Sequence, residues 1–241
     1  MMKLPQLRRL YQARLVFRLC VLFLTIMMYF AYPQSFDVLI GFNFFHKFSW
    51  LHLLWLVWVI DMIVQLIPAK GYLPLGSLKQ FKMFYRPVKE LIDKKELIPF
   101  FKKSEWESLK VLGAWAMLVA GIGVLWAANI LKEKELLLIS VVFYVCDLLC
   151  VLLWCPFRVW IMKNRCCTTC RIFNWDHLMM FSPMLFIRGV YSISIFAIAV
   201  VVFLIWEGCF ILHPERFCEE TNAALQCRNC TDKLCGSLTR G

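Results

Sequence analysis

The chain has 241 residues, 61% of them hydrophobic and only 18% charged, with a mean hydropathy of +0.67. A soluble domain carries about 45–50% apolar and about 25% charged residues, and here the excess lies in long, nearly uncharged runs. One soluble globular domain, a disordered chain and a disulfide-stapled mini-domain are therefore excluded, and the net charge of +11 flanks the apolar runs instead of covering a soluble face, which argues against nucleic acid.

The first apolar run, residues 15–32, follows a basic start (Lys3, Arg8, Arg9, Arg14) and carries Arg18 near its beginning. Arg14 and Arg18 lie one helical turn apart and are expected to snorkel to the headgroups. A secretory signal peptide shares the basic start. The run is longer than the apolar core of such peptides, however, and Phe30-Ala31-Tyr32-Pro33 is no small-residue cleavage site, so an uncleaved anchor helix is expected. A bilayer takes about 20 apolar residues per helix, and residues 50–68, 111–131, 136–157 and 190–212 approach that length. Gly121 and Gly123 fall inside one of these stretches and mark expected points of close helix contact.

Lys and Arg are dense in residues 1–18, 69–108 and 156–189, sparse in 33–49, where Lys47 stands alone, and balanced by acids in 132–135. The positive-inside rule then puts the N-terminus and the second and fourth connections on the cytoplasmic side. The 69–108 connection has its own pattern. Leu78, Phe81, Phe84, Tyr85, Val88, Leu91 and Ile92 recur at helical spacing, with Lys79, Lys82 and Lys94 on the other face. This predicts a basic amphipathic helix, broken or kinked at Pro87, lying against anionic lipid headgroups.

Residues 178–187 (LMMFSPMLFI) are apolar but too few for an ordinary span. The piece lies in the interface, dips in as a re-entrant segment, or forms the short leg of a hairpin with the last span. The first two leave five spans with the C-terminus outside; the third gives six and returns it inside. The expected fold class is thus an all-α, polytopic membrane bundle of five or six spans (residues 1–212), with a Cys knuckle at 156–177 and a Cys-rich tail at 213–241.

Twelve cysteines carry most of the chemical signal. Cys167-x-x-Cys170 and Cys227-x-x-Cys230 are two knuckles in polar segments, the ligand set of a four-thiolate structural zinc site; an iron–sulfur cluster is the alternative. A shared site requires both pairs on one side of the membrane, hence the hairpin. Otherwise Cys166, Cys167 and Cys170 would take Cys155 or His177 as a fourth ligand, while Cys218, Cys227, Cys230 and Cys235 would pair as disulfides.

Three carboxylates fall within apolar runs: Asp61, Asp147 and Glu207. Each should face a partner or a wet cavity. Asp61 shares a helix face with Gln65 and Asp147 shares one with Cys150, so a cation, proton or metal path from Asp147 past Cys150 to Cys155-Pro156 competes with plain interhelical hydrogen bonding. Trp175-Asp176-His177 is expected as an interfacial Trp beside a solvated Asp-His pair, or as a metal-orienting element. No phosphate loop or hydrolase constellation is present. The expected functions are a non-enzymatic assembly protein stapled by zinc and working with a membrane protein partner, a small transporter using the three carboxylates, or a membrane redox protein with a cluster or exchanging thiols.

Overall fold

The computed structural model describes residues 4–67, 77–88, 94–164 and 166–229. Among these the chain is helical and turn-forming, with no strand beyond two isolated bridges. Helix α1 (Leu4–Ala31) tolerates Pro5 in its first turn and stops ahead of Pro33, whose ring disfavours helical backbone at the preceding residue. A 3-10 segment (Pro33–Leu39) and a single turn, α2 (Asn43–His46), lead to α3 (Leu51–Gln65). Helix α4 (Lys94–Ala127) runs through Pro99 near its start and ends where Asn129 adopts a left-handed conformation (φ 58°). Helix α5 (Glu133–Leu152) is capped by the Lys132 N–H donating to Glu135 Oε2. After a π-helical turn (Phe157–Ile161) come the short α6 (Asp176–Phe181), a 3-10 continuation (Ser182–Phe186), and α7 (Val190–Leu212).

Four of these helices, α1, α4, α5 and α7, are long and apolar enough to cross a membrane, and α3 is a shorter apolar helix. Large apolar side chains such as Phe23, Phe30, Met117, Val124, Leu204 and Ile211 stand exposed along them. The inward faces supply a core built on Trp58, Leu136, Val141, Phe181, Tyr191 and Ile195. An exposed apolar girdle around a packed interior is how a protein meets lipid.

Residues 176–186 thread this interior. At one end Gln65, the last residue of α3, donates to Asp176; at the other, the Gly41 N–H donates to the Arg188 carbonyl and the Val190 N–H to the Gly41 carbonyl. Six α-helical and five 3-10 residues make a leg of about 19 Å, close to the about 22 Å of α3 beside it. Met180, Phe181 and Met184 are buried along it. The segment packs against α4, α5 and α7.

The tail folds back onto the end of the bundle where the 77–88 segment lies. Asn222, fully buried, donates to the carbonyls of Lys79 and Arg216 and accepts the Arg86 N–H, while the Val88 N–H donates to Thr221. These bonds correct the expected amphipathic helix. Within the described residues the stripe resolves into one 3-10 turn (Ser77–Gln80) followed by turns and extended chain. Pro87 pushes Arg86 out of helical backbone, and Asn222 then binds the main-chain groups that a helix would have used. Residues 89–93 lie outside the described residues.

Candidate functional site

Arg18 does not snorkel. Its guanidinium, 7% exposed, points into the bundle, donating to Asp147 Oδ2 at 2.7 Å and to the Tyr144 carbonyl at 2.6 Å, with Asp61 Oδ2 at 3.5 Å and the Tyr144 ring 4.0 Å beneath it. Two of the three carboxylates, from α3 and α5, thus converge on one cation carried by α1. The cluster continues through His177, whose Nε2 lies 3.9 Å from Asp61 and whose Nδ1 lies 3.1 Å from Asp176 Oδ1. Asp176 and His177 are therefore parts of a buried network tying α1, α3, α5 and α6 together, not a solvated interfacial pair. Opposite charges buried together and hydrogen-bonded offset one another's desolvation; either alone would be costly.

Glu207 lies elsewhere. Arg171 grips both its carboxylate oxygens in a fork and Trp175 Nε1 donates to it at 2.6 Å, fastening the 171–175 segment to α7. Arg171 also stacks on Phe210, 3.7 Å from the ring centre.

Beside the ion cluster a cavity of about 390 Å³ opens between α4, α5, the π-helical turn and α6. Asp147 and Asp176 reach it from the cluster. Cys146, Cys150, Cys155, Cys167 and Cys170 line it, together with Trp115, Phe143, Trp154, Phe157, Met179 and Arg158. Helix α5 ends at Leu152, short of the predicted 157, so Cys155 stands just beyond the helix, before Pro156. Cys150 and Cys155 thus line the same cavity wall. The Arg158 N–H also points at the Cys155 sulfur, 3.4 Å away. The neighbouring Cys150 thiol, aided by the Phe157 and Arg158 N–H groups, outweighs burial and lowers the Cys155 thiol to about 6. Its neighbours behave oppositely. Burial pushes the Cys167 thiol up and Cys170 to about 12, and Cys167 Sγ donates to the Cys150 carbonyl at 3.6 Å. One thiolate-prone sulfur stands among protonated ones.

The cysteines expected to bind metal are partly brought together and partly not. Cys167 and Cys170 face Cys150 and Cys155, while Cys227 sits exposed in a 3-10 turn of the tail. Cys230 and Cys235 lie outside the described residues. Among the described residues no three His, Cys, Asp or Glu side chains are grouped to hold a metal ion. The expected set of Cys166, Cys167, Cys170 and either Cys155 or His177 is therefore not assembled: Cys166 is not among the thiols lining the cavity, and His177 belongs to the ion cluster. Cys218 is a buried thiol, 3.9 Å from Glu220 Oε2. Of the glycines, Gly123 lies against Phe186, whose ring would be 2.7 Å from an added Cβ; Gly121 faces open space.

Sequence reasoning aligned Asp147, Cys150 and Cys155 along one path but missed Arg18 as the partner of the carboxylates, and Asn222 altogether. Arg18 was visible as a charge inside an apolar run; Asn222 carries no signal beyond an ordinary turn-forming residue. The chain matches no protein-family model, no curated protein and no solved structure.

Proposed function

We propose that this protein is a membrane-embedded thiol–disulfide oxidoreductase, with Cys150 and Cys155 as the exchanging pair and Cys167 and Cys170 as a second dithiol at the same cavity. The carrying observation is that Cys150 and Cys155 line one cavity wall, with the Arg158 N–H 3.4 Å from the Cys155 sulfur and the thiolate favoured at Cys155. The thiolate is the attacking form. Cys155 attacks one sulfur of a substrate disulfide and expels the other as a thiolate. Cys150 then attacks Cys155 Sγ, closing the Cys150–Cys155 bond and releasing the second substrate sulfur. The two thiol protons end on the two product thiols, and two electrons have moved from the pair to the substrate.

The membrane frame proposed with this activity has six crossings, 176–186 being the short leg of a hairpin with α7. The bonds from Gly41 to residues 188 and 190 at one end, and from Asn222 to the 79–86 segment at the other, support it. The distribution of Lys and Arg supports placing the tail, the start of α1 and the thiol cavity at the cytoplasmic face, against anionic headgroups.

The test is a redox titration of the purified full chain in glutathione buffers, with thiol trapping and peptide mapping. The expected product is a Cys150–Cys155 disulfide titrating as a two-electron couple. Alkylation of Cys155 should be half-maximal near pH 6: below it the thiol is protonated and slow, above it the thiolate persists. Cys150→Ala removes the main group that favours the Cys155 thiolate and should move that midpoint upward. Failure to form the disulfide at any poise overturns the proposal. So does stoichiometric zinc lost in both Cys167→Ser and Cys227→Ser, which would restore the four-thiolate site.

A further inference from the structure

We infer that the thiol-lined cavity is a quinone site, a lipid-soluble quinone taking the place of the substrate disulfide as the two-electron acceptor that oxidises the Cys150–Cys155 pair; this rests on the thiol–disulfide reading above. Three features of the cavity point there. Its volume of about 390 Å³ falls in the range of small-molecule sites, about 300–1,000 Å³. Its walls are overwhelmingly apolar and rich in flat rings, with Trp115, Phe143, Phe157 and Met179 in the lining; aromatic faces and a thioether suit a planar conjugated ring. Its rim includes Cys146 and Trp154, both exposed on the lipid-facing surface of α5 and the chain just after it. A ligand dissolved in the bilayer reaches such a mouth directly, whereas a charged peptide disulfide or other hydrophilic oxidant must give up its hydration to enter.

One polar group in the wall, Arg158, matches the electron flow, while the Asp147 and Asp176 carboxylates there are engaged by Arg18 and by His177 and Gln65. Arg158 is buried in the lining, and its positive charge acts on Cys155, Cys167 and Cys170. A cation there stabilises the negative charge that develops on a quinone oxygen as it is reduced. The chemistry balances. Cys155 sulfur adds to a quinone ring carbon, forming a C–S bond and placing an electron pair on the quinone oxygens. Cys150 sulfur then attacks Cys155 Sγ; the S–S bond forms as the C–S bond breaks. The ring leaves as quinol with the two protons that the thiols have lost, so one quinone is reduced for each disulfide made.

The experiment uses the full chain, reduced, freed of reductant and held anaerobically in mild detergent, with decylubiquinone as the probe. That ring is fully substituted, which suppresses uncatalysed permanent thiol adducts. Loss of quinone absorbance should reach one equivalent per protein and coincide with the Cys150–Cys155 disulfide; Cys150→Ser and Cys155→Ser should each abolish it. Decylubiquinone should also quench fluorescence from Trp115 and Trp154, a binding readout independent of turnover. Cys146→Trp, which narrows the mouth at a lipid-exposed position, should raise the KM for quinone tenfold or more. If glutathione disulfide oxidises the pair but decylubiquinone neither binds nor is reduced, the quinone inference falls and the oxidoreductase reading stands. If neither oxidant closes the disulfide, both fall. Reduction undiminished by Cys146→Trp places the reaction outside this cavity and also overturns the inference.

Discussion

A guanidinium carried into an apolar interior must be matched by carboxylates, and Arg18 is matched by two, from α3 and α5, at unequal distances. Removing one member of a buried charge pair costs about 3–5 kcal/mol, because the partner is left buried and uncompensated. Arg18→Gln is therefore expected to destabilise by about that amount, read as a lowered thermal midpoint in mild detergent. Asp61→Asn should cost less, since its contact is the longer one and Asp147 remains on the cation. Equal losses from Arg18→Gln and Asp61→Asn would contradict this ranking. That Arg18 is a hub was not legible in the chain. An arginine four residues into an apolar run shows its cost but neither its depth nor its partners, which lie 43 and 129 positions away. The carboxylates were easier to read, because an acid amid apolar residues demands explanation wherever it points.

Elements set by length and local chemistry were legible; those decided by distant contacts were not. The apolar runs placed every long helix, because twenty apolar residues without a break have few alternatives, and His213-Pro214 stops α7 as its sequence implies. The amphipathic stripe at 78–92 failed for the opposite reason. Its periodicity is real, but Pro87 and the bonds from Asn222, 136 or more positions away along the chain, override it in the described part. Among connections the tightest is at Gly189, where an added Cβ would overlap the Leu39 carbonyl oxygen and carbon and crowd Gly41 N. Nothing flexible is available to yield, since these are main-chain atoms. Gly189→Ala is thus expected to loosen the joint between the 33–41 segment and the start of α7, costing at least about 2 kcal/mol, whereas Gly121→Ala, facing open space, should be near neutral. Comparing the two thermal midpoints checks the assignment.

For the whole molecule, the decisive variable is the number of crossings, because it determines which compartment the tail shares with the thiol cavity. A peptide tag appended after Gly241 should resist external protease in sealed cells and be digested once the membrane is opened. Digestion in sealed cells would remove the six-crossing frame. Sequence alone left five and six open, since a ten-residue apolar piece is compatible with lying on, dipping into or crossing a bilayer. What distinguishes these is whether its ends bond to opposite ends of the bundle, and that is a property of packing.

The shortness of α3 has a consequence for the surrounding lipid. Its 15 residues span about 22 Å, against about 35 Å for the 23 residues of α7, while a bilayer core is about 30 Å thick. Leu53, Leu56, Ile60 and Ile63 of α3 face outward, so this flank is exposed to acyl chains and cannot hide its deficit inside the protein. In the six-crossing frame proposed above, hydrophobic mismatch is therefore built into one side of the molecule: the leaflets pinch beside α3 and relax beside α7. A protein with such a thin flank favours thin membranes, or neighbours that share its thin side.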